Sequence, residues 1–449
     1  MTILVSARDT SLGLPPDIAF LLSEGVDERT LARAAAEGRA AGTDAATALL
    51  QVGLIDEEGY YRALARTLGL AYLDGPIPLA RDLPYPGCLL AGRAPLASGM
   101  GAATVIAPRG QAIAVLLARK GRLAEIALTS PTRLRAAVFA RMSGPIAALA
   151  SQGPQGAAAP LARPLLILGG GLAALALTLV LAPPLPAQAL VIVLQALILA
   201  MMAVRLAALA IRPPSIEAPP LPDADLPVYT ILVPLYRERR SAYPLAKALA
   251  ALDYPAAKLD IKLLIEADDR ETEAALAQIP FPARFEVVTV PPGWPRTKPR
   301  ALNVGLALAR GRLLTVYDAE DVPEPDQLRK AAALFAVEPP TTACLQGRLV
   351  IDDHADGLLP KLFAAEYAGL FDVLNPALCA LDLPVPLGGT GSKWQAPKNL
   401  IISMDIGPAV RLQHNSCPIS LREITWSLPP ALDARAASVM VNPKPVADR

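Results

Sequence analysis

From residue 229 to residue 337, apolar runs alternate with amphipathic stretches, and this alternation restricts the possible folds most. The runs YTILVPL (229–235), KLLIEA (262–267), FEVVTV (285–290) and RLLTVYD (312–318) are almost continuously apolar. Helical patterns lie between and after them, near 241–252, 269–278, 299–310 and 325–337. Strands that are apolar on both faces must be covered on both, and strands separated by helices pair in parallel. The expectation is an α/β fold, a mostly parallel sheet with helices on both faces. No internal repeat is evident.

Upstream lie two apolar runs of membrane-spanning length. Pro164–Ala182 is uncharged, and Ala189–Ile211 carries one charge, Arg205, near its far end. At about 1.5 Å per helical residue, each is long enough for a hydrocarbon core of about 30 Å. The apolar content of 53% and mean hydropathy of +0.38 agree with membrane segments. Arg141 and Arg163 precede the pair, Arg205 and Arg212 close it, and the turn between is uncharged. The positive-inside rule then predicts a transmembrane helical hairpin at 164–211, multi-pass in a bacterial inner membrane, with both flanking domains cytoplasmic. MTILVSARDTSLG shows no basic region before an apolar core, so no cleavable signal peptide is expected.

The remaining divisions follow from composition. Residues 1–150 read as an N-terminal α or α+β domain, 151–163 as a linker, and 212–227 as a Pro-rich linker. The spacing predicts a helix over 27–39 and two more within 43–68, broken at Gly53, with Asp56 as an N-cap. The runs ATVIA, IAVLLA and IALTS between 100 and 140 look strand-like or mixed. A net charge of +1 argues against a nucleic-acid surface. Four scattered cysteines and two histidines argue against structural zinc and a His-rich metal site.

In open α/β sheets, ligands bind beyond the carboxyl ends of the strands. Three ends carry acid: Leu235-Tyr236-Arg237-Glu238, Glu266-Ala267-Asp268-Asp269 and Asp318-Ala319-Glu320-Asp321. Clustered carboxylates repel unless a cation or hydrogen-bond donors neutralise them. A hard divalent ion, Mg²⁺ or Mn²⁺, shared with a diphosphate would do so. Asp268 and Asp269 have a plainer use as caps of the following helix, and Lys298 as a solvated surface lysine.

The ordered series VPLYRE, LLIEADD, TKPRALNVGLALARG, LLTVYDAED and GGT (388–390) resembles family 2 glycosyltransferases, the membrane-embedded polysaccharide synthases and cellulose synthase-like proteins in particular. The resemblance covers residues 228–390 and implies a GT-A-type, Rossmann-like domain that transfers a sugar from a nucleotide diphosphate donor, a UDP-sugar first. It implies that Pro234, Tyr236 and Glu238 line the base pocket and that Asp268 and Asp269 accept from the base edge. Lys298 and Asn303 would lie near the diphosphate. Asp318 and Glu320 would hold the metal with Asp321 as a substitute, although the family usually has Asp where Glu320 stands. The acceptor would be a glycan or a lipid-linked sugar. Residues 358–375 form an apolar helical stretch for core or membrane-surface packing.

An inverting transfer needs a base for the acceptor hydroxyl. The resemblance would place it in a TED-type motif after GGT, followed by QxxRW and further membrane helices. Residues 391–449 show none of these, so the tail reads as frameshifted or diverged, with Asp405 and Glu423 as candidate bases and the catalytic residue unassigned. The alternative is a catalytically inactive membrane scaffold or nucleotide sensor. ATALLQVGLIDEEGYYRALARTLGLAYLD is similar to the N-terminal domain of type II secretion ATPases, some of which bind cyclic di-GMP. A regulatory or docking role follows, with cyclic di-GMP or a protein as partner.

Overall fold

The computed structural model describes residues 13–99, 101–119, 125–151, 184–211, 218–339, 344–351, 357–381 and 392–395, with isolated positions between them. The first apolar run, the 151–163 linker, GGT 388–390, Asp405 and Glu423 lie largely or wholly outside these residues.

The N-terminal region opens with helices α1 (Glu28–Ala41), α2 (Ala45–Val52) and α3 (Glu57–Leu68). Asp27, Asp44 and Asp56 accept the backbone N–H of Thr30, Thr47 and Gly59, satisfying donors that have no intrahelical partner. A small sheet follows, built from β1 (Ala71–Tyr72), β2 (Arg93–Pro95), β3 (Thr104–Ile106) and β4 (Ile126–Leu128) in the order β1-β4-β3-β2. Between β3 and β4, the run IAVLLA, read from sequence as strand-like or mixed, lies in helix α4 (Gln111–Ala118). Short apolar runs do not distinguish the two by period alone. The region ends in a long helix, α5 (Pro131–Ala150), capped by Ser130.

Among the described residues one helix is long and apolar enough to cross a membrane. It lies within α6 (Pro184–Ala208), over Gln188–Ala208, with mean hydropathy 2.4 and its most apolar 18-residue stretch wholly unburied. The expected hairpin, and with it a multi-pass location, therefore has one described arm.

The second sheet joins β5 (Tyr229–Leu235), β6 (Leu259–Glu266), β7 (Phe285–Val290) and β8 (Leu313–Val316) in parallel. Two further strands, β9 (Cys344–Gln346) and β10 (Ser392–Gln395), complete the order β7-β6-β5-β8-β10-β9, with β10 antiparallel to both neighbours. The connecting helices are α7 (Ala242–Ala250), α8 (Arg270–Ala277), α9 (Lys298–Leu306) and α10 (Gln327–Val337). One face of the sheet buries Ile231, Val233, Ile261 and Leu263 with Leu245, Leu249 and Leu328. The other buries Leu232, Leu264, Val288 and Leu314 against Leu302 and Val304 of α9 and Ile146 and Ala150 of α5. The last helix of the N-terminal region thus covers part of the second sheet.

Strand β6 begins three residues before the apolar run suggests, because Asp260 and Lys262 are buried inside it. They belong to an ion network that also holds Glu286 of β7, Arg310, and Arg109 and Arg135 from the N-terminal region. Downstream, α11 (Leu358–Ala368) buries none of its residues, and it runs through a π-helical segment, Gly369–Leu374, into α12 (Asn375–Ala380).

Candidate active site

The carboxyl ends of β5 and β8 and the segment after β7 enclose a cleft of about 330 Å³. Pro234, Tyr236, Glu238, Lys298, Asp318 and Glu320, six of the residues singled out from sequence, line it. Leu235, Glu266, Arg296, Thr297, Ala301 and Ala319 complete the wall. Sequence reasoning passed over Arg296 because it looked for acids at strand ends. Its signal was position, since it follows β7 on the edge where the acids gather.

The turn after β5 is held in an uncommon shape. Arg237 has φ +62°, in the left-handed region that side chains with a Cβ rarely adopt. Asp269 stabilises it by accepting the Arg237 N–H at 2.5 Å, and it also accepts the Thr272 N–H at 3.1 Å as the N-cap of α8. Burial pushes the Asp269 carboxyl up, but these donors outweigh it and hold it below the usual carboxylate range. Asp269 therefore caps its helix and fixes the turn that presents Tyr236. Tyr236 is half-exposed, with the Arg237 guanidinium 5.2 Å from its ring centroid. Glu238 accepts from Ser241 Oγ at 2.8 Å, while its own N–H donates to Thr272 Oγ1 at 3.0 Å.

Asp268 is not on the cleft wall, but its Oδ2 lies 2.5 Å from Nη1 of Arg296, which is. Asn303 is not among the residues lining the cleft, and it donates from Nδ2 to the Ala150 carbonyl at 3.1 Å. It ties α9 to α5, being one turn beyond Lys298 and on another side of the helix. Glu266 is buried and paired with Arg300 at 2.5 Å, and burial raises its carboxyl pKa more than Arg300 lowers it.

At the end of β8, Asp318 is hydrogen-bonded to Lys298 Nζ. Asp321 accepts the Asp318 N–H at 2.8 Å, so it shapes the turn. Among the described residues, no three His, Cys, Asp or Glu side chains gather as a ready-made metal group. A cation bound together with a diphosphate needs only one or two carboxylates, the phosphates supplying further oxygens. Asp318 and Glu320, both on the cleft wall, fit that requirement.

The family described as glycosyltransferase like family 2 matches residues 227–371, a span that contains every residue lining the cleft. The probable glycosyltransferase YdaM of Bacillus subtilis (strain 168) is 30% identical over 104 residues, 22% of this chain and 24% of that protein. The chain thus spans about a quarter of that curated relative. Among solved structures, the mannosyltransferase PcManGT from Pyrobaculum calidifontis, in complex with GDP-Man and Mn²⁺, is 21% identical. The match covers 44% of this chain and 54% of that one, with a TM-score of 0.34. Glucosyl-3-phosphoglycerate synthase from Mycobacterium tuberculosis, with Mn²⁺, UDP and phosphoglyceric acid, is 17% identical over 38% of this chain and 56% of that one, with a TM-score of 0.26. The cleft thus lies wholly inside the residues that match glycosyltransferase like family 2, 227–371.

Proposed function

We propose that the chain is a membrane-anchored transferase that takes a sugar from a nucleotide diphosphate donor, a UDP-sugar first, and passes it to a glycan or lipid-linked acceptor. The observation that carries this reading is the composition of the cleft. Asp318 and Glu320 share the cleft wall with two cations, Arg296 and Lys298, inside the matched residues, and Lys298 is bonded to Asp318. That is the charge pattern a diphosphate shared with a divalent ion requires.

In this reading Pro234 and Tyr236 form the wall for the base, and Asp269 holds their turn. Asp318 and Glu320 hold the cation, Mg²⁺ or Mn²⁺. When bound, it neutralises charge developing on the leaving diphosphate. Lys298 and Arg296 donate to the phosphate oxygens, and Asp268 is left to accept from the base edge. Anchoring rests on the exposed apolar α6, which meets the Gly369–Leu374 segment. Exposed Leu358, Leu359, Leu362 and Phe363 of α11 suit the membrane surface beside it.

Calorimetry with UDP and Mn²⁺ tests this function. Binding should require the cation in the wild type. Asp318→Ala should weaken cation-dependent binding by at least the ~10–100-fold that loss of even an outer-shell metal partner costs. Equal wild-type binding with and without EDTA would rule out a metal role for Asp318 and Glu320. A second reading, a donor-binding scaffold with little transfer, is favoured by the sequence of residues 391–449, which has no TED or QxxRW motif. A positioned base contributes about 10²–10⁴-fold to such a reaction. Donor hydrolysis without polymer formation in membranes holding the chain would favour this second reading.

A further inference from the structure

The segment between β7 and α9 runs along the cleft as a strap with two cations, Arg296 and Lys298, close to its α9 end. Its root is fixed, since a Cβ added at Gly293 would lie 2.8 Å from Arg300 Nη1 and 2.9 Å from Ala147 Cβ. Its far end is Lys298, the first residue of α9. Between them, Arg296 reaches Asp268 beyond the end of β6, and Lys298 reaches Asp318 beyond the end of β8. These strands are not neighbours, because β5 lies between them in the sheet. The two ion pairs therefore straddle the carboxyl end of β5, where Pro234, Tyr236 and Glu238 line the cleft.

We propose that Arg296 and Lys298 are exchangeable counter-ions of the empty donor site, positioning residues that release Asp268 and Asp318 only when a nucleoside diphosphate and a divalent cation arrive together. The proposal rests on the donor-binding reading above and adds an order of events to it. Lys298 Nζ is in hydrogen-bond contact with Asp318, so a divalent ion alone must displace an ammonium group to reach that carboxylate. A diphosphate gives the ammonium and the guanidinium a new anionic partner, and each carboxylate is then freed for its own ligand. No net charge is stranded at any stage.

Exposure separates these pairs from the structural one beside them. Side-chain exposures are 49% and 44% for Arg296 and Asp268, and 36% and 26% for Lys298 and Asp318. Pairs so open to water are held weakly and exchange readily. Arg300 and Glu266, at 1% and 9%, form the fixed pair beneath them. The strap also carries an indole, Trp294, next to Gly293, that is 81% exposed and so able to report its movement.

The exchange makes cation and nucleotide binding mutually dependent through Lys298, and such coupling is reciprocal. Calorimetry of the full chain in detergent, with Mn²⁺ alone, UDP alone and both, measures it. In Lys298→Met, Mn²⁺ alone should bind about 5-fold tighter or more, the low end of usual coupling factors, and UDP should lose most of its enhancement by Mn²⁺. Lys298→Arg keeps the competing positive charge and should leave Mn²⁺ alone as weakly bound as in the wild type, which separates exchange from misfolding. Independently, saturating UDP with Mn²⁺ should change the tryptophan emission of the wild type, and Trp294→Phe should remove that change. If the wild type binds UDP with Mn²⁺ but Lys298→Met leaves Mn²⁺ affinity unchanged or weaker, the exchange is wrong and the donor site stands. An unchanged tryptophan emission under saturation likewise overturns the strap. If the wild type binds no UDP with Mn²⁺, the donor-binding reading fails, and the exchange falls with it.

Discussion

Glu286 gathers four cations: Arg135 at 2.5 Å, Lys262 at 2.8 Å, Arg310 at 2.9 Å and Arg109 at 3.0 Å. Its side chain is 7% exposed, so the carboxylate is held almost out of water. Burial alone would raise its pKa, but Lys262, Arg109 and Arg135 outweigh burial and hold it well below the usual carboxylate range. Glu286→Gln keeps the shape, strips Arg109 and Arg135 of their anion and leaves Lys262 and Arg310 with Asp260 alone, and breaking a buried pair in this way typically costs about 3–5 kcal/mol. The melting temperature of the purified chain should fall accordingly. The sign with pH follows from the depressed pKa. The contribution is complete above the unfolded carboxylate value of about 4.3 and is lost as pH falls toward the folded value. The gap in melting temperature between wild type and Glu286→Gln should therefore be full at pH 7 and narrow below about pH 4. A gap that widens in acid would contradict the network. Single-residue legibility followed the same physics. Acids at strand ends were readable because the topology brings such ends together. Asp260, Lys262 and Glu286 were not, since charges inside a strand look like solvent-facing positions until their partners, 151 residues away in the case of Arg135 and Glu286, are known.

Strand β8 carries Asp318 to the cleft, and its placement depends on a close approach at its start. A Cβ at Gly311 would lie 2.4 Å from Thr230 N and 2.6 Å from Leu313 O, both backbone atoms that cannot swing aside. Gly311→Ala should therefore force β8 away from β5, costing about 1–3 kcal/mol as other overpacked sites do. Cation-dependent UDP affinity should fall with it, since Asp318 follows the strand. Gly305 in α9 offers a contrast, because its added Cβ would meet the Leu264 methyls at 2.8 and 2.9 Å, side-chain tips that can rotate. Calorimetry on both variants separates the cases, and equal losses would mean that the β5–β8 spacing does not set the site. The strands and helices from 229 to 337 were legible because their apolar runs are long and separated by distinct amphipathic stretches. The weakest readings came where runs are short. IAVLLA became a helix, and the 358–375 stretch bends through a π-helical segment that no periodicity announced.

The sequence separates residues 1–150 from the second sheet by a linker and an apolar pair of runs, yet packing crosses that separation at several points. Ile146 and Ala150 of α5 lie in the same apolar cluster as Leu232, Leu264 and Val288. The Ala150 carbonyl accepts from Asn303, Ala283 N–H donates to the Leu50 carbonyl at 3.3 Å, and Arg284 donates to the Gln51 carbonyl at 2.8 Å. Arg109 and Arg135 neutralise Glu286 from the same side. Such contacts are invisible to local pattern, because each half reads as a plausible unit with its own helices and strands. A fragment that begins at residue 218 would expose part of one face of the sheet to water and strip Glu286 of two of its cations. A marginal fold of about 5–15 kcal/mol does not survive losses of that kind. The expected outcome is that residues 218–449 aggregate or digest rapidly in limited proteolysis, whereas the full chain yields a resistant core spanning both regions. A fragment that melts cooperatively and binds UDP with Mn²⁺ would show that the N-terminal region only rests against the sheet. Loss of folding, by contrast, would mean that any partner of residues 13–151 acts directly on the scaffold that holds Lys298 and the strap, through α5, Gly293 and Asn303.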